Sequence, residues 1–464
     1  MEEKFDIAFL GGGPAGYQGA VRAAQLGARV AVVEAKFLGG VCLNWGCIPT
    51  KTVRASAEVA RTIRRAREFG FEQLSPTPDI KAIISRKERV VTALRGSVER
   101  LFQANKVTLI NGLGRLTSPN SIEVESDGNL ELVEASKIVI STGSSPASLD
   151  VIPPGPRVFL ADETLNISYL PKHILVVGGG VVGVEMAAIF RELGSQITIV
   201  EALDRILFNE DAEMASSLHG ILQRRKIKIL CGVNVVEVAE NEEGFAVKLS
   251  NGVEIAPDTI IVAVGRRFNT IGIGLNKLGI EMDRGRIVVD EHLQTNVPSV
   301  YAAGDVIGGW LLAHVAFAEG ICAAEHALGR DSKMDYKVVP RCVFTIPEYA
   351  AVGLSEEQAA SNHTIKVARF PFKSVGMGQA MGELEGLVKL MADAHTDQIL
   401  GCHVIGPHGS DLVAEIAVCM KGNLTSKVVM DTIHSHPTLS EAILETAQAL
   451  HGQAIHAAPE GLKQ

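Results

Sequence analysis

Two glycine-rich turns, each set between an apolar run and a helical stretch, limit the folds open to this chain more than any other feature. The first, Gly11-Gly12-Gly13-Pro14-Ala15-Gly16, follows Phe5–Leu10. It precedes a helical stretch to about Leu26, a stop at Gly27 and a run from Arg29 to Val33 that ends at Glu34. The second, Gly178-Gly179-Gly180-Val181-Val182-Gly183, follows Ile174–Val177. It precedes another helical stretch, Gly194 and a run Ile197–Val200 ending at Glu201. From Gly11 to Gly178, from Gly27 to Gly194 and from Glu34 to Glu201 the offset is 167 residues each time. Each copy is a G-x-G-x-x-G fingerprint between strand and helix, with an acid about twenty residues on. Glycines let the backbone approach a pyrophosphate, the helix N-terminus favours its charge, and the acid accepts hydrogen bonds from a ribose. One such turn is weak; two with the same internal spacing predict two dinucleotide-binding βαβ units, with electrons passing between the nucleotides. Candidate residues are Gly11, Gly13, Gly16 and Glu34 on the first unit, and Gly178, Gly180, Gly183 and Glu201 on the second.

Directly after the first unit stands Gly39-Gly40-Val41-Cys42-Leu43-Asn44-Trp45-Gly46-Cys47-Ile48-Pro49-Thr50-Lys51. Regular helix would hold an i, i+5 pair more than ~7 Å apart. A disulfide needs Cα atoms within about 4.4–6.8 Å. If Cys42 and Cys47 pair, the backbone between them must leave regular helix, which Asn44 and Gly46 tolerate. Pro49 suits the first turn of a helix running through Lys51, and a cysteine at such a start has its thiolate favoured. A zinc site would need two further ligands, and neither a second cysteine pair nor Cys-x-x-His follows. Thioredoxin-like sites use Cys-x-x-Cys. On spacing alone, a redox pair and two packed thiols stand about even.

Composition narrows the context. The 464 residues are 47% hydrophobic and 21% charged, with a net charge of −9 and no basic run, which disfavours nucleic acid and anionic membrane as partners. No apolar run reaches the ~18 residues of a membrane span. Met1-Glu2-Glu3-Lys4 reads as neither a secretory signal nor a transit peptide. Seven cysteines in a chain of this length point to a reducing, cytoplasmic compartment, where a disulfide is more often catalytic than structural.

Between the units, residues 51–100 alternate apolar and charged positions at helical spacing, with the charges read as solvated faces. Residues 107–142 read as short strands, closing on Ile138-Val139-Ile140-Ser141-Thr142-Gly143-Ser144, and Pro146 to Pro156 mark a linker. Residues 225–264 again read as strands, closing on Gly265-Arg266-Arg267. Val300-Tyr301-Ala302-Ala303-Gly304-Asp305 is a strand ending beside a helix start, where Asp305 suits either an N-cap or a sugar hydroxyl. From about residue 340 the texture changes to strands and helices without a glycine fingerprint.

The cysteine stretch after the first fingerprint, the second fingerprint, Tyr301–Asp305 and His434-Ser435-His436-Pro437-Thr438-Leu439-Ser440-Glu441 occur in order. Together they resemble the flavin-dependent pyridine nucleotide–disulfide oxidoreductases, over essentially the whole chain, and within that family the members that oxidise a dihydrolipoyl group. The resemblance implies an α/β fold with two Rossmann-like dinucleotide-binding domains, a central domain and a C-terminal α+β dimerisation domain. The expected boundaries are 1–147 for FAD, 148–270 for NAD, 271–341 for the central domain and 342–464 for dimerisation. It implies that Cys42 and Cys47 form a redox-active disulfide, that no metal takes part, and that Lys51, Gly114, Thr142, Gly143, Ser144, Glu185, Gly265, Asp305 and Ala313 add to the cofactor sites. Lys51 and Glu185 would meet beside the flavin.

By the same resemblance the chain is a homodimer in which His436, oriented by Glu441, serves as base at the disulfide of the other subunit. Histidine titrates near the working pH, and an acid behind it orients the ring, as in a triad. A dihydrolipoyl thiol would attack Cys42, leaving Cys47 as the thiolate facing the flavin, with the electrons ending on NAD. The implied carrier is a separate protein, the lipoyl domain of an acyltransferase component or the glycine-cleavage carrier protein. The chain departs from the family pattern at Val41, Trp45, Phe268 and 373–379. Three other activities compete with this reading: a sister disulfide or metal-ion reductase, an NADH-oxidising electron carrier, and a redox-dependent binding subunit.

Overall fold

The computed structural model describes residues 4–72 and 74–456. Met1–Glu3, read above as neither a secretory signal nor a transit peptide, and residues 457–464, at the end of the expected dimerisation domain, lie outside them.

The first glycine turn joins strand β1 (Phe5–Leu10) to helix α1 (Pro14–Gln25), and β2 (Val30–Glu34) returns beside β1 with Ile7 opposite Val30. Ile7, Ala8 and Phe9 are fully buried. Strands covered on both faces have no polar side to show, so they read as unbroken apolar runs. The second turn repeats the arrangement: His173–Val177, helix Val181–Leu193, and Gln196–Glu201 with Ile174 opposite Ile197. Its sheet is five-stranded and all parallel, running Ile227–Cys231, Gln196–Glu201, His173–Val177, Thr259–Val262 and Val158–Leu160. The two chain crossings between the units lie side by side, Ser144–Pro146 pairing antiparallel with Arg266–Phe268.

The segment 271–341, expected as a central domain, makes extensive contact with the first unit. Strand Val300–Ala302 pairs parallel with Ile138–Ile140 and so joins the first sheet. Helix Ala313–Ala327 then crosses α1 at backbone contact. A Cβ on Gly320 would stand 2.0 Å from the Ala15 carbonyl oxygen, and one on Gly19 would stand 2.5 Å from that of Gly320. Leu293, Tyr301 and Ala323 share their apolar core with Phe9 and Val32. The strand's partner lies about 160 residues upstream, a pairing that local patterning cannot report.

Beyond residue 340 an antiparallel five-stranded sheet, Arg341–Val343, Glu348–Gly353, Ile399–Gly406, Leu387–Asp393 and Ile365–Pro371, carries helices Gly409–Lys421 and Glu441–Leu450. Buried Lys389 of this sheet pairs with Asp211 at 2.9 Å, and Asp211 also caps helix Ala212–Arg224 through the Met214 amide. Among the described residues, no helix is long and apolar enough to cross a membrane.

A dithiol between two dinucleotide cradles

The cysteine stretch folds as two helices with a break between them, α2 (Gly40–Asn44) and α3 (Cys47–Arg64). The amides of Trp45 and Gly46 both donate to the Val41 carbonyl, at 2.9 and 2.7 Å. Two donors on one acceptor halt the ladder, and Gly46 turns the chain at φ −107°, ψ −106°. Cys42 therefore lies in α2 and Cys47 opens α3. Their thiols lie within hydrogen-bonding reach of each other. Buried Asn44 holds the break: its Nδ2 donates to the carbonyls of Leu38 and Gly40, and its Oδ1 accepts from Arg95.

The two thiols are not equivalent. The hydrogen bond with Cys47, then burial, push the Cys42 thiol far up from the usual range. The same hydrogen bond, donated by Cys42, lowers Cys47; burial works against this and the Lys51 ammonium adds to it. The uncapped start of α3 further favours negative charge there. In the pair, negative charge is favoured on Cys47 over Cys42. Lys51, one turn into α3, stands 3.2 and 3.1 Å from the two carboxylate oxygens of buried Glu185 on the second unit's helix.

The first cradle opens against this break. Gly11 takes φ +108°, and a Cβ there would meet the Ser141 carbonyl oxygen at 2.4 Å. A Cβ on Gly16 would lie 1.9 Å from the Gly11 carbonyl oxygen, so only glycine lets the helix close on the strand. Gly13 caps α1 with no side-chain hydrogen bond and no acid in the first turn. Glu34 accepts from the amides of Gly12 and Lys36, both at 2.7 Å. Thr142 donates to the Asn269 carbonyl, Gly143 takes φ +70°, and Ser144 donates to Asp305. Arg266 donates to Ser144 Oγ at 2.6 Å and pairs with Asp162. Asp305 thus opens its short 3₁₀ turn inside a polar cluster. Ala313 begins a 15-residue helix that also lacks a side-chain cap. Gly114 is buried in strand Leu113–Ser118, where a Cβ would strike Leu10 and Val33.

The second cradle repeats this chemistry. Gly178 takes φ +108° against the Ala263 carbonyl, a Cβ on Gly183 would lie 1.9 Å from the Gly178 carbonyl oxygen, and Gly180 caps its helix without a side-chain bond. Glu201 accepts from the amides of Gly179 at 2.6 Å and Leu203 at 2.8 Å. Gly265 takes φ +120° with open space around it. Arg205 donates to the Phe208 carbonyl at 2.9 Å and lies over the Phe208 ring. His436 stands apart from both cradles, its side chain 77% exposed. Its Nδ1 is 2.8 Å from Glu441, which also accepts from the Thr438 amide. Burial works to raise the Glu441 carboxyl, but these hydrogen bonds outweigh it and hold the carboxyl below its usual range.

Residues 5–320 match the pyridine nucleotide-disulphide oxidoreductase family, and residues 339–447 match that family's dimerisation domain. The chain belongs to the pyridine nucleotide–disulphide oxidoreductases. This oxidoreductase is 42% identical to the dihydrolipoyl dehydrogenase of Thermus scotoductus, across 97% of the chain and 98% of the relative. It is 39% identical to a Bacillus subtilis dihydrolipoyl dehydrogenase, across 98% and 100%. Among solved structures, LpdA of Mycobacterium tuberculosis superposes with a TM-score of 0.90 at 30% identity, covering 96% of this chain and 99% of that one. The flavoprotein disulfide reductase RclA of Escherichia coli, solved as a Cu(II) complex, superposes with a TM-score of 0.88 at 28% identity, over 96% and 99%. The chain is a flavoprotein disulfide oxidoreductase that works with FAD and NAD. Two uncapped helix starts, each behind a glycine turn that admits no side chain and each with a carboxylate at the next strand end, fit two dinucleotides. When bound, FAD supplies the two-electron chemistry that links the thiols to NAD.

Sequence reading missed two residues at this site. Phe344 of the dimerisation domain donates its amide to Glu185 at 2.7 Å. Buried Glu319 of helix Ala313–Ala327 accepts from the Gly304 amide at 2.7 Å and the Tyr336 hydroxyl at 2.8 Å, next to Asp305. Burial pushes its carboxyl up to about 7. Glu319 left one visible signal, an acid set among the small and apolar residues of that helix; Phe344 left none. Among the departures from the family pattern, Trp45 packs on Phe37 with centroids 6.2 Å apart.

Proposed function

We propose that the chain is a dihydrolipoyl dehydrogenase, oxidising a protein-borne dihydrolipoyl group through Cys42 and Cys47 while NAD is reduced. The observation that carries the reading is the asymmetric thiol pair at the helix break, set between two dinucleotide cradles. In the oxidised enzyme the two sulfurs are bonded to each other. His436 takes the proton from one substrate thiol, and the resulting thiolate attacks Cys42 Sγ. The Cys42–Cys47 bond breaks and Cys47 leaves as a thiolate, stabilised by the α3 start and Lys51. The second substrate thiol then attacks its neighbour in the mixed disulfide. Cys42 leaves, takes up a proton, and the substrate departs as its cyclic disulfide. The pair is left with a Cys42 thiol beside a Cys47 thiolate, the charge distribution that the α3 start and Lys51 favour. Glu441 holds the Nδ1–H of His436, which leaves Nε2 free as the base.

The exposure of His436 and its bond to Glu441 alone support a site shared between two copies, with His436 of each serving the dithiol of the other. The partner is a lipoyl domain of an acyltransferase component or the glycine-cleavage carrier protein, in the cytoplasm. The test is subunit mixing with free dihydrolipoamide and NAD. Cys47→Ser and His436→Gln chains are each inactive alone, and random pairing gives hybrids with one intact site, restoring about a quarter of wild-type turnover. Hybrids that form and stay inactive overturn the shared site. A Cys42→Ser enzyme with full lipoamide turnover overturns the dithiol assignment.

A further inference from the structure

Three parts of the chain meet at the Lys51–Glu185 pair. Lys51 comes from α3 beside the two thiols, Glu185 from the helix of the second unit, and Phe344 from the residue directly after strand Arg341–Val343 of the dimerisation domain. Phe344 touches both charges. Its amide donates to Glu185 Oε1 at 2.7 Å, and its ring lies under Lys51 Nζ, 4.1 Å from the ring centroid. The segment is itself fastened to α3. Arg54 lies on the same ring at 5.7 Å, donates to the Thr345 carbonyl at 3.3 Å and pairs with Glu348 at 3.0 Å.

Lys51 and Glu185 act oppositely on Cys47, the ammonium favouring its thiolate and the carboxylate opposing it. Glu185 is buried and fixed, whereas the Lys51 side chain is 32% exposed on a flexible stem. An ammonium free to swing into water would leave the Glu185 charge opposing Cys47 with less to offset it.

We propose that Phe344 is a positioning residue for the Cys47 thiolate: its ring fixes the Lys51 ammonium and its N–H fixes the Glu185 carboxylate, so the dimerisation domain sets the charge beside the dithiol. The proposal rests on Cys47 being the charged member of the pair. Substituting the ring with an aliphatic side chain keeps the N–H and removes only the face on which Lys51 rests. The Cys47 thiolate then becomes harder to form.

The experiment titrates Cys47 in the reduced, flavin-loaded Cys42→Ser enzyme, using the pH dependence of its alkylation by iodoacetamide followed peptide by peptide. Phe344→Leu raises the apparent pKa of Cys47 by about half a unit, the size of one partly exposed cation–π contact. Phe344→Tyr, which keeps the ring, restores the original value. In a Lys51→Met background Phe344→Leu has no further effect, because its influence passes through the ammonium. Where Phe344→Leu sheds flavin, Phe344→Met is read in its place. An unshifted Cys47 in the folded Leu variant overturns the proposal, as does a shift that persists without Lys51. A Cys47 that titrates as an ordinary thiol with Phe344 in place overturns the thiolate assignment itself, and the proposal with it.

Discussion

In the first cradle Ala15 is buried, and Gly13 lies beneath α2, where a Cβ on Gly40 would stand 2.7 Å from the Gly13 Cα. In the second, Val181 and Val182 are 40% and 37% exposed, and a Cβ on Gly180 would meet nothing within 4 Å. The turns themselves match: the same φ at Gly11 and Gly178, the same 1.9 Å approach at Gly16 and Gly183, the same carboxylate on the second glycine's amide. What differs is the cover. Helix Ala313–Ala327 and α2 close over the first turn, and among the described residues no such cover lies over the second. Two turns of the same chemistry thus differ in elements that carry no fingerprint, the contrast that a resident flavin in the first and an exchanging nicotinamide nucleotide in the second would call for.

The sharpest way to break this contrast is to lift the cover. Gly320→Val drives a side chain into the Ala15 carbonyl, so the purified protein should retain under about a tenth of the normal flavin per chain, since backbone contacts cannot repack as side chains do. Gly180→Ala, placed in open space with an ordinary φ of −73°, should leave flavin content and Tm unchanged and raise the KM for NAD. Equal flavin loss in the two would show that cover does not distinguish the cradles.

A smaller effect concerns selectivity at the open cradle. A 2′-phosphate on the nicotinamide nucleotide would face the Glu201 carboxylate, and Arg205, held on Phe208, is not placed to meet it. The kcat/KM ratio of NAD to NADP should fall about 10- to 100-fold in Glu201→Ala, equivalent to about 1.4–2.8 kcal/mol, with flavin content unchanged. A ratio that does not move assigns selectivity elsewhere.

The smallest expected effect belongs to the covered cradle. Glu319 titrates near 7 in the fold and near 4.5 in the unfolded chain, so between those values the folded state binds the extra proton. Its contribution to stability is present at low pH and is lost as pH rises from about 4.5 to 7. Glu319→Gln keeps an acceptor for Gly304 and removes the charge. Its stability relative to wild type should therefore improve by on the order of 1–3 kcal/mol between pH 5 and pH 8, read from parallel denaturant titrations. A difference that is flat with pH would show that Glu319 stays ionised throughout.

Much of this was legible because the fingerprints are local. A glycine that must touch its own strand, an acid at the next strand end and a cysteine pair beyond it all lie within about 40 residues of each other. The repeat offset then fixed two units without any knowledge of contacts. The pairing of strand Val300–Ala302 and the roles of Gly320 and Phe344 were not legible, since each acts on a partner far away in sequence. Val300-Tyr301-Ala302 reads as a strand, but nothing in it says which sheet it enters. Gly320 looks like any helical glycine until Ala15 is laid against it. Nor does local patterning report that apolar residues of 271–341 pack into a core begun at residue 5.

Because Val300–Ala302 supplies the edge beside Ile138–Ile140, the first sheet is finished by a piece of chain made long after the rest of it. At ordinary rates of synthesis the ribosome needs about 10–30 s to travel between them. Throughout that interval the apolar strand end Ile138–Ile140 waits with one row of amides and carbonyls unmatched, the kind of edge that invites pairing with a neighbouring chain. Growing chains are thus most exposed to misassembly in the middle of their synthesis, after the first nucleotide turn exists and before its cover arrives.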